Sequence, residues 1–293
     1  MLFRSPKGAV NIRRDGQAVV RQSSPNIILT SQGGSEPGLV VEIKPGTRNE
    51  SVHVPVILTS PGFQDKVYNT FIVGEDADVT IIAGCGIHND SHMNSRHDGI
   101  HEIIVKSGAR LKYVEKHYGE GTGQGGKLLN PTTNITVEKG GSAELEMVQI
   151  KGVDDTVRKT VARVGEKASL KVVERLLTQG AQSAESDIEI IIEGVGGTAQ
   201  ILSRSVAQED SYQLFRAALI GKKACVGHVE CDAIIMDRAR IRSIPELLAE
   251  DSEAVLTHEA AIGKIAGEQL VKLMSLGLTE KEAVDAILEG FLK

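Results

Sequence analysis

A small alanine-centred motif recurs along the chain and limits its fold more than any other feature of the sequence. Each copy has a short polar turn, an alanine and an aliphatic residue two positions later, as in residues 108–111 and 142–145. The repeat alanines are Ala77, Ala109, Ala143, Ala168, Ala199, Ala224 and Ala254. Their spacings of 25 to 34 residues are typical of solenoids, in which each coil buries its apolar face against the next.

Polar and apolar residues alternate after each repeat alanine. Arg110 and Lys112, for example, flank Leu111. A period of two predicts a strand with one buried face. A second apolar-rich strand precedes each turn, as in residues 133–137 and 188–192. We therefore expect an all-β solenoid, a β-helix with parallel neighbours and about two strands per coil.

The pattern changes to helical spacing near the C-terminus. The apolar residues at this spacing begin with Leu270, Leu273 and Met274. Thr279 and Glu282 then form the capping-box pattern of a second helix. We expect N-terminal strands over residues 1–69, a β-helix core over 70–265 and a helical cap over 266–293. The cap either closes the solenoid or docks a partner.

Composition excludes several classes of function. The net charge is -6, from 33 basic and 39 acidic residues that are mixed along the chain. This gives no electrostatic footprint for nucleic acid or an anionic membrane. The first seven residues lack an apolar signal core, and no apolar run approaches the ~18 residues that span a bilayer. Three cysteines suit a reducing compartment, so we expect a cytoplasmic protein. We expect Cys225 to be a small surface or interface residue without a role.

Residues 85–101 hold the densest group of metal-ligand side chains. They are Cys85, His88, His92, His97 and His101. Imidazole and thiolate suit zinc or iron, but the spacing matches no fixed metal motif. The segment is therefore either a metal-binding loop or a polar corner whose histidines form local hydrogen bonds. A cysteine at the end of a strand, as predicted for Cys85, is held by rigid backbone.

A second group emerges when the coils are aligned on their alanines. The fourth position after the alanine is mainly apolar in early coils, but it is His228 and His258 in the last two. Glu259 replaces an aliphatic residue at the fifth position, and Cys231 lies at the seventh position of the preceding coil. This alignment predicts that the two histidines stack and that Cys231 and Glu259 share a face about 8 Å apart. Thiol, carboxylate and imidazole together suit iron; the alternative is a wet terminal coil that tolerates polar residues.

The C-terminal part of the chain resembles the SufB/SufD core of the iron-sulfur cluster assembly machinery. The matching stretches are CDA at 231–233, THEAAIGKI at 257–265, EQL at 268–270, GLTEKEA at 277–283 and GF at 290–291. The resemblance implies a right-handed parallel β-helix that ends in helices. It also implies protomers that pair through their terminal coils and a docking site for SufC, an ABC-type ATPase.

The resemblance further implies a function. The chain would be a scaffold for a transient iron-sulfur cluster, not an enzyme, with the ATPase activity in its partner. SufB-like members carry a cysteine and a glutamate that correspond to Cys231 and Glu259, whereas SufD-like members typically have glycine at the second position. His258 or His228 would complete the ligand set at a dimer interface. Cys85 is similar to a SufB cysteine associated with sulfur uptake, although the residues after it depart from the family pattern.

The same resemblance points to partners. The implied ATPase-docking residues are Leu270, Leu273, Met274, Ala283 and Ile287. The helical N-terminal region of larger members has no counterpart here, which favours a compact homodimer, while a heterodimer with a SufD-like protein stays open. No Gly-rich phosphate loop accompanies a βαβ unit, so we do not expect a bound flavin.

Three alternatives remain at this point. One is a SufD-like structural subunit that holds no cluster. Another is a polysaccharide-active β-helix enzyme, which the absence of tryptophan and an aromatic content of 3% disfavour. The third is a metal-storage protein or metal-dependent enzyme built on the four histidines of residues 88–101.

Overall fold

One chain winds through two facing β-sheets and ends in two short helices. The structure, a computed structural model, describes residues 8–33 and 37–293. The expectation about the first seven residues therefore lies outside the described part of the chain. Over the described ranges, none of the helices has the length and apolar character needed to cross a bilayer.

The strands follow one another with short connections. They are β1 (Ala9–Arg14), β2 (Gln17–Gln22), β3 (Ile27–Ser31), β4 (Gly38–Ile43), β5 (Arg48–Leu58), β6 (Gln64–Val73), β7 (Asp78–His88), β8 (Ser95–Val105), β9 (Arg110–Glu120), β10 (Lys127–Leu129), β11 (Thr132–Val137), β12 (Ser142–Lys151), β13 (Asp155–Val164), β14 (Ser169–Thr178), β15 (Ser183–Ile192), β16 (Thr198–Ala207), β17 (Tyr212–Gly221), β18 (Val226–Ile235), β19 (Arg240–Ala249) and β20 (Val255–Gly263). The helices are α1 (Gly267–Ser275) and α2 (Glu280–Phe291).

From β4 onward, successive strands alternate between the two sheets, except that β10 and β11 both lie in sheet B, so that each coil contributes to both sheets. Sheet A has the order β2-β1-β5-β7-β9-β12-β14-β16-β18-β20, and sheet B has the order β19-β17-β15-β13-β10-β8-β6-β4-β3, with β11 also between β13 and β8. Among the described strands, pairing is antiparallel for β1 with β2 and for β3 with β4, and the other pairs are parallel. The result is a β-solenoid of about eight turns, which confirms the predicted all-β solenoid with a helical end.

Apolar side chains on the inner faces of the two sheets form one large core cluster and a smaller second cluster that contains Cys85 and Leu129. Burial alternates along each strand, as in β14, where every second side chain is buried. Fully enclosed side chains such as Phe71, Tyr113 and Leu145 fill the space between the sheets. Burial of apolar surface at about 25 cal/mol per Å² stabilises this stack.

The alignment of coils differs from the one that the alanines indicated. In the hydrogen-bonded register, each coil has an equivalent corner position directly before its sheet A strand. The residues at this corner position are Ala77, Ala109, Gly141, Ala168, Gly197, Cys225 and Ala254. Ala143 and Ala199 therefore lie two residues after this position, and Ala224 lies one residue before it. The corner requires a small side chain, which glycine or cysteine provides as well as alanine. The alanine pattern was correct about the repeat but wrong about the register of three coils.

The C-terminal helices form where their sequence signals lie. Helix α1 ends before Gly277, whose φ of 99° lies in the left-handed region that favours glycine. Helix α2 begins after Thr279, and Thr279 and Glu282 make both hydrogen bonds of a capping box. Leu288 and Leu292 pack against Val206 on the outer face of sheet A. Helix α2 is therefore attached to the solenoid.

Changing a core residue tests the solenoid. Leu145→Ala removes a fully buried side chain, and we expect it to lower the free energy of unfolding by about 2–5 kcal/mol. Val157→Ala on β13, whose side chain is 51% exposed, serves as control with an expected change within about 0.5 kcal/mol. Urea denaturation followed by circular dichroism measures both; equal losses would contradict the assigned core.

Candidate functional site

The last coil places the predicted cluster ligands on two opposite faces. In the parallel pair of β18 and β20, Val229 pairs with His258 and Cys231 pairs with Ala260. Cys231 and His258 are thus diagonal neighbours on the inner face, with their α-carbons about 8 Å apart. Cys231 is 5% exposed, whereas His258 lies at the open end of the solenoid and is exposed.

His228 and Glu259 lie on the outer face of the same strands. His228 pairs with Thr257, and its Nδ1 atom lies 2.8 Å from the Thr257 hydroxyl oxygen. Glu259 pairs with Glu230. The predictions that His228 stacks on His258 and that Cys231 shares a face with Glu259 were therefore wrong. The cause is the one-residue shift at Ala224, which moves a side chain to the other face of a strand.

The Cys231 thiol is held in its protonated form. Burial raises the pKa of Cys231 to about 11, with a smaller opposing effect of the Ser243 hydroxyl. Ala260, its register partner on β20, has a small side chain. The small side chain of Ala260 therefore covers the Cys231 thiol on the side of the open end of the solenoid.

Cys225 lies inside the solenoid, contrary to expectation. It occupies the inner corner position and is 4% exposed. A cysteine behaves there as a small apolar residue that fills the corner. The surface or interface location was wrong because it depended on the misplaced Ala224.

The histidines of residues 88–101 do not form one group. His88 is exposed, with its Nε2 atom 2.8 Å from an Asp90 carboxylate oxygen, and His92 is also exposed. His97 and His101 point inward from β8 and are buried. Within residues 8–33 and 37–293, no three histidine, cysteine, aspartate or glutamate side chains are already arranged around a common metal position. A single loop site made of all four histidines is therefore wrong.

Buried polar side chains extend through the solenoid between Cys85 and Cys231. Register pairs connect Cys85 to His117 and then to Gln149 along the inner face of sheet A. A neighbouring file on the same face contains Glu115, Met147, Glu174, Ser203 and Cys231. Sequence reasoning missed the polar members of these files. The available signal was the period of two within each strand, because residues at even distances from the corner position of their own coil point inward.

The polar groups differ in how well they are paired. Glu174 binds Arg158 at 3.1 Å and accepts a hydrogen bond from Ser186 at 2.7 Å. Burial lowers the pKa of His101 to about 4 and also lowers that of His117, so both imidazoles are neutral at pH 7.

Cys85 occupies the same enclosed interior. Its side chain is 2% exposed. Burial raises the pKa of the Cys85 thiol, and the charges of Asp65 and Glu115 add to the effect. The thiolate form of Cys85 is therefore disfavoured in this conformation.

The two C-terminal helices differ in exposure: α1 has an exposed apolar surface, whereas part of α2 is buried. Helix α1 has no fully buried residue; Val271 is 67% exposed and Met274 43% exposed. Ala283 on α2 is fully buried, so its prediction as a docking contact was wrong. Its enclosed side chain offers no surface to a partner. Leu270, Leu273 and Ile287 are half-buried and keep part of their surface accessible.

Comparisons with known proteins agree on one family. Residues 59–291 match the family model described as "SUF system FeS cluster assembly, SufBD core domain". Iron-sulfur cluster assembly SufBD family proteins of Archaeoglobus fulgidus and Methanothermobacter thermautotrophicus are 30% and 29% identical, over 87% and 90% of this chain. The chain spans 68% and 64% of their lengths. The assembly protein SufB of Bacillus subtilis is 28% identical over 76% of this chain and 48% of its own length.

The enclosed thiols can be tested by alkylation. Raising the pKa of Cys231 from 9.0 to about 11 lowers its thiolate fraction at pH 8 about 100-fold, so we expect iodoacetamide to label it at least that much more slowly than in the unfolded chain. Peptide mass spectrometry of time points, with and without guanidinium, measures the rate. A native rate within tenfold of the unfolded rate would contradict the enclosure.

Proposed function

Because the chain belongs to the SufBD core family of the SUF iron-sulfur cluster assembly system, we propose that it is a scaffold that holds a nascent iron-sulfur cluster at the open end of the solenoid. The observation that carries this proposal is the placement of Cys231 and His258 on one inner face of adjacent coils. Thiolate suits iron-sulfur units, and one imidazole beside it leaves the cluster labile enough to be passed on.

Binding of iron supplies the free energy that deprotonates Cys231. A metal-bound thiol loses its proton, so cluster assembly releases a proton and opposes the effect of burial on the pKa. The proton is held until iron arrives, which keeps the free thiol unreactive in the meantime. Cys231 is thus suited to hold a cluster rather than to attack a donor.

The outer face contributes a second set of donors. Glu230 and Glu259 are directly opposed in register, and like charges in this position repel one another. A cation removes that repulsion. We assign to Glu259, with His228 as its diagonal neighbour, the first capture of iron outside the solenoid, before the inner pair holds the cluster.

Two partners complete the scaffold. The outer edges of β19 and β20 end the two sheets, and a second copy or a SufD-like chain can extend them by strand pairing. The apolar surface of α1 suits a SufC-like ABC-type ATPase. The protein itself would not be a catalyst, and its three free thiols suit a cytoplasmic location.

Anaerobic reconstitution tests the inner pair. With iron and sulfide, we expect Cys231→Ser and His258→Ala to lose most of the cluster absorbance near 400 nm, while Glu259→Ala slows assembly and changes the final yield less. Cys225→Ser is the matched control, because this thiol is also buried in the solenoid but lies at the corner. We expect it to retain the full yield.

The other outcomes separate the alternatives. Wild-type yield in both Cys231→Ser and His258→Ala would contradict the proposed ligands. No cluster in the wild-type protein, together with retained binding of the ATPase, would support a SufD-like structural subunit. Cys85→Ser should alter only assembly from a persulfide donor, since added sulfide needs no acceptor thiol.

Charge on α1 tests the docking surface. Val271→Glu and Met274→Glu place carboxylates on its exposed apolar face, and we expect each to weaken co-purification of the ABC-type ATPase at least tenfold. Val157→Glu, at an exposed apolar position of β13, is the control and should leave binding unchanged. Loss of binding in all three variants would contradict a specific surface on α1.

A further inference from the structure

Three buried ionisable side chains converge near the start of the solenoid, far along the stack from Cys231. His101 lies on β8, and Glu115 and His117 lie on β9 across the interior. The Nε2 atoms of His101 and His117 lie 3.7 Å and 3.5 Å from the same oxygen, Oε1 of Glu115. All three side chains are at most 8% exposed. Two imidazoles from different sheets therefore face one carboxylate oxygen.

A fourth donor points into the same space. If Gly99 on β8 carried a Cβ atom, that atom would lie 2.8 Å from Nε2 of His101 and 3.3 Å from Nε2 of His97. The missing side chain thus leaves room between two ring nitrogens. Nδ1 of His97 lies 3.0 Å from Asp65, which also binds Arg13 at 2.9 Å. A carboxylate that fixes one ring nitrogen while the other points inward is typical of a metal-binding histidine.

The cluster leaves polar atoms without partners. Among the described residues, Nδ1 of His101, Nδ1 of His117 and Oε2 of Glu115 are buried and have no hydrogen-bond partner. The Tyr113 hydroxyl donates a long hydrogen bond of 3.4 Å to Oε1 of Glu115. Each buried unpaired group costs roughly 1–3 kcal/mol, so the arrangement favours a bound cation that neutralises the carboxylate.

We propose that His101, Glu115 and His117, with His97 as a fourth donor, bind one divalent first-row transition-metal ion inside the solenoid. Imidazole nitrogens with one carboxylate are typical ligands of iron(II), cobalt(II) and zinc, and not of magnesium or calcium. Bonds of about 2.1 Å place neighbouring donor atoms about 3 Å apart, so the two separations from Oε1 of Glu115, 3.7 Å to His101 and 3.5 Å to His117, would close by less than about 1 Å on binding. This site is separate from Cys231 and His258 and does not depend on the proposed cluster scaffold.

Cobalt(II) is the probe, because its visible absorbance reports the ligands. Titration of the full chain under anaerobic conditions should give one tightly bound cobalt per chain, with bands of nitrogen and oxygen ligation and without intense thiolate charge transfer. We expect Glu115→Gln and His117→Gln each to weaken binding by more than about 100-fold. Gly99→Ala keeps every ligand but places a methyl group 2.8 Å from Nε2 of His101, and it should also weaken binding.

Controls separate ligation from folding and from the other site. His88→Ala/His92→Ala removes two exposed histidines, Cys231→Ser removes the proposed cluster ligand, and Leu145→Ala destabilises the core; all three should keep the cobalt site. Circular dichroism confirms folding of each metal-free variant. No cobalt binding by the wild-type chain, unchanged binding in Glu115→Gln and His117→Gln, or binding lost with His88 and His92, would each overturn the proposal.

Discussion

The hydrogen-bonded register between successive coils determines which chemistry this molecule can contain. Every side chain of a strand points either into the solenoid or out of it, and a shift of one residue exchanges the two. His258 therefore belongs to the inner face with Cys231, while His228, one register position away, belongs to the outer face. The backbone ladder places identical residue types in different environments, and their available partners follow from that placement.

The solenoid interior contains two kinds of buried polar group, one with a structural role and one suited to binding a ligand. The Glu174 carboxylate accepts hydrogen bonds from both Arg158 and Ser186, as expected for a buried charge, although Nε and Nη2 of Arg158 have no partner among the described residues. His101, Glu115 and His117 occupy an equally enclosed place without equivalent hydrogen bonds. Both groups are buried and contain one carboxylate, but Glu174 has two hydrogen-bond donors, whereas Oε2 of Glu115 has none among the described residues. It is this contrast, more than the presence of histidines, that distinguishes the second group.

The sequence predicts the fold because the fold is repetitive. Alternation of apolar residues and small corner residues recurs in every coil, and the capping box at Thr279 specifies the start of the last helix locally. The register was harder to predict, since Gly141, Gly197 and Cys225 serve the same corner as the alanines but look different in sequence. The inner cluster was missed because its members come from strands in both sheets. No local sequence pattern relates His101 to Glu115, because the two side chains meet across the interior from opposite sheets.

The unpaired outer edges of β19 and β20 would make the stability of this protein depend on the concentration of any strand that pairs with them. Among the described residues, each of these strands is hydrogen-bonded within its sheet on one side only. A partner that pairs with them binds the folded chain and not the unfolded one, so mass action makes stability rise with the partner's concentration. Chains made in excess would keep an adhesive edge that other strands can occupy. For any strand that pairs here, its supply relative to this chain would therefore decide how many of these backbone amides stay open.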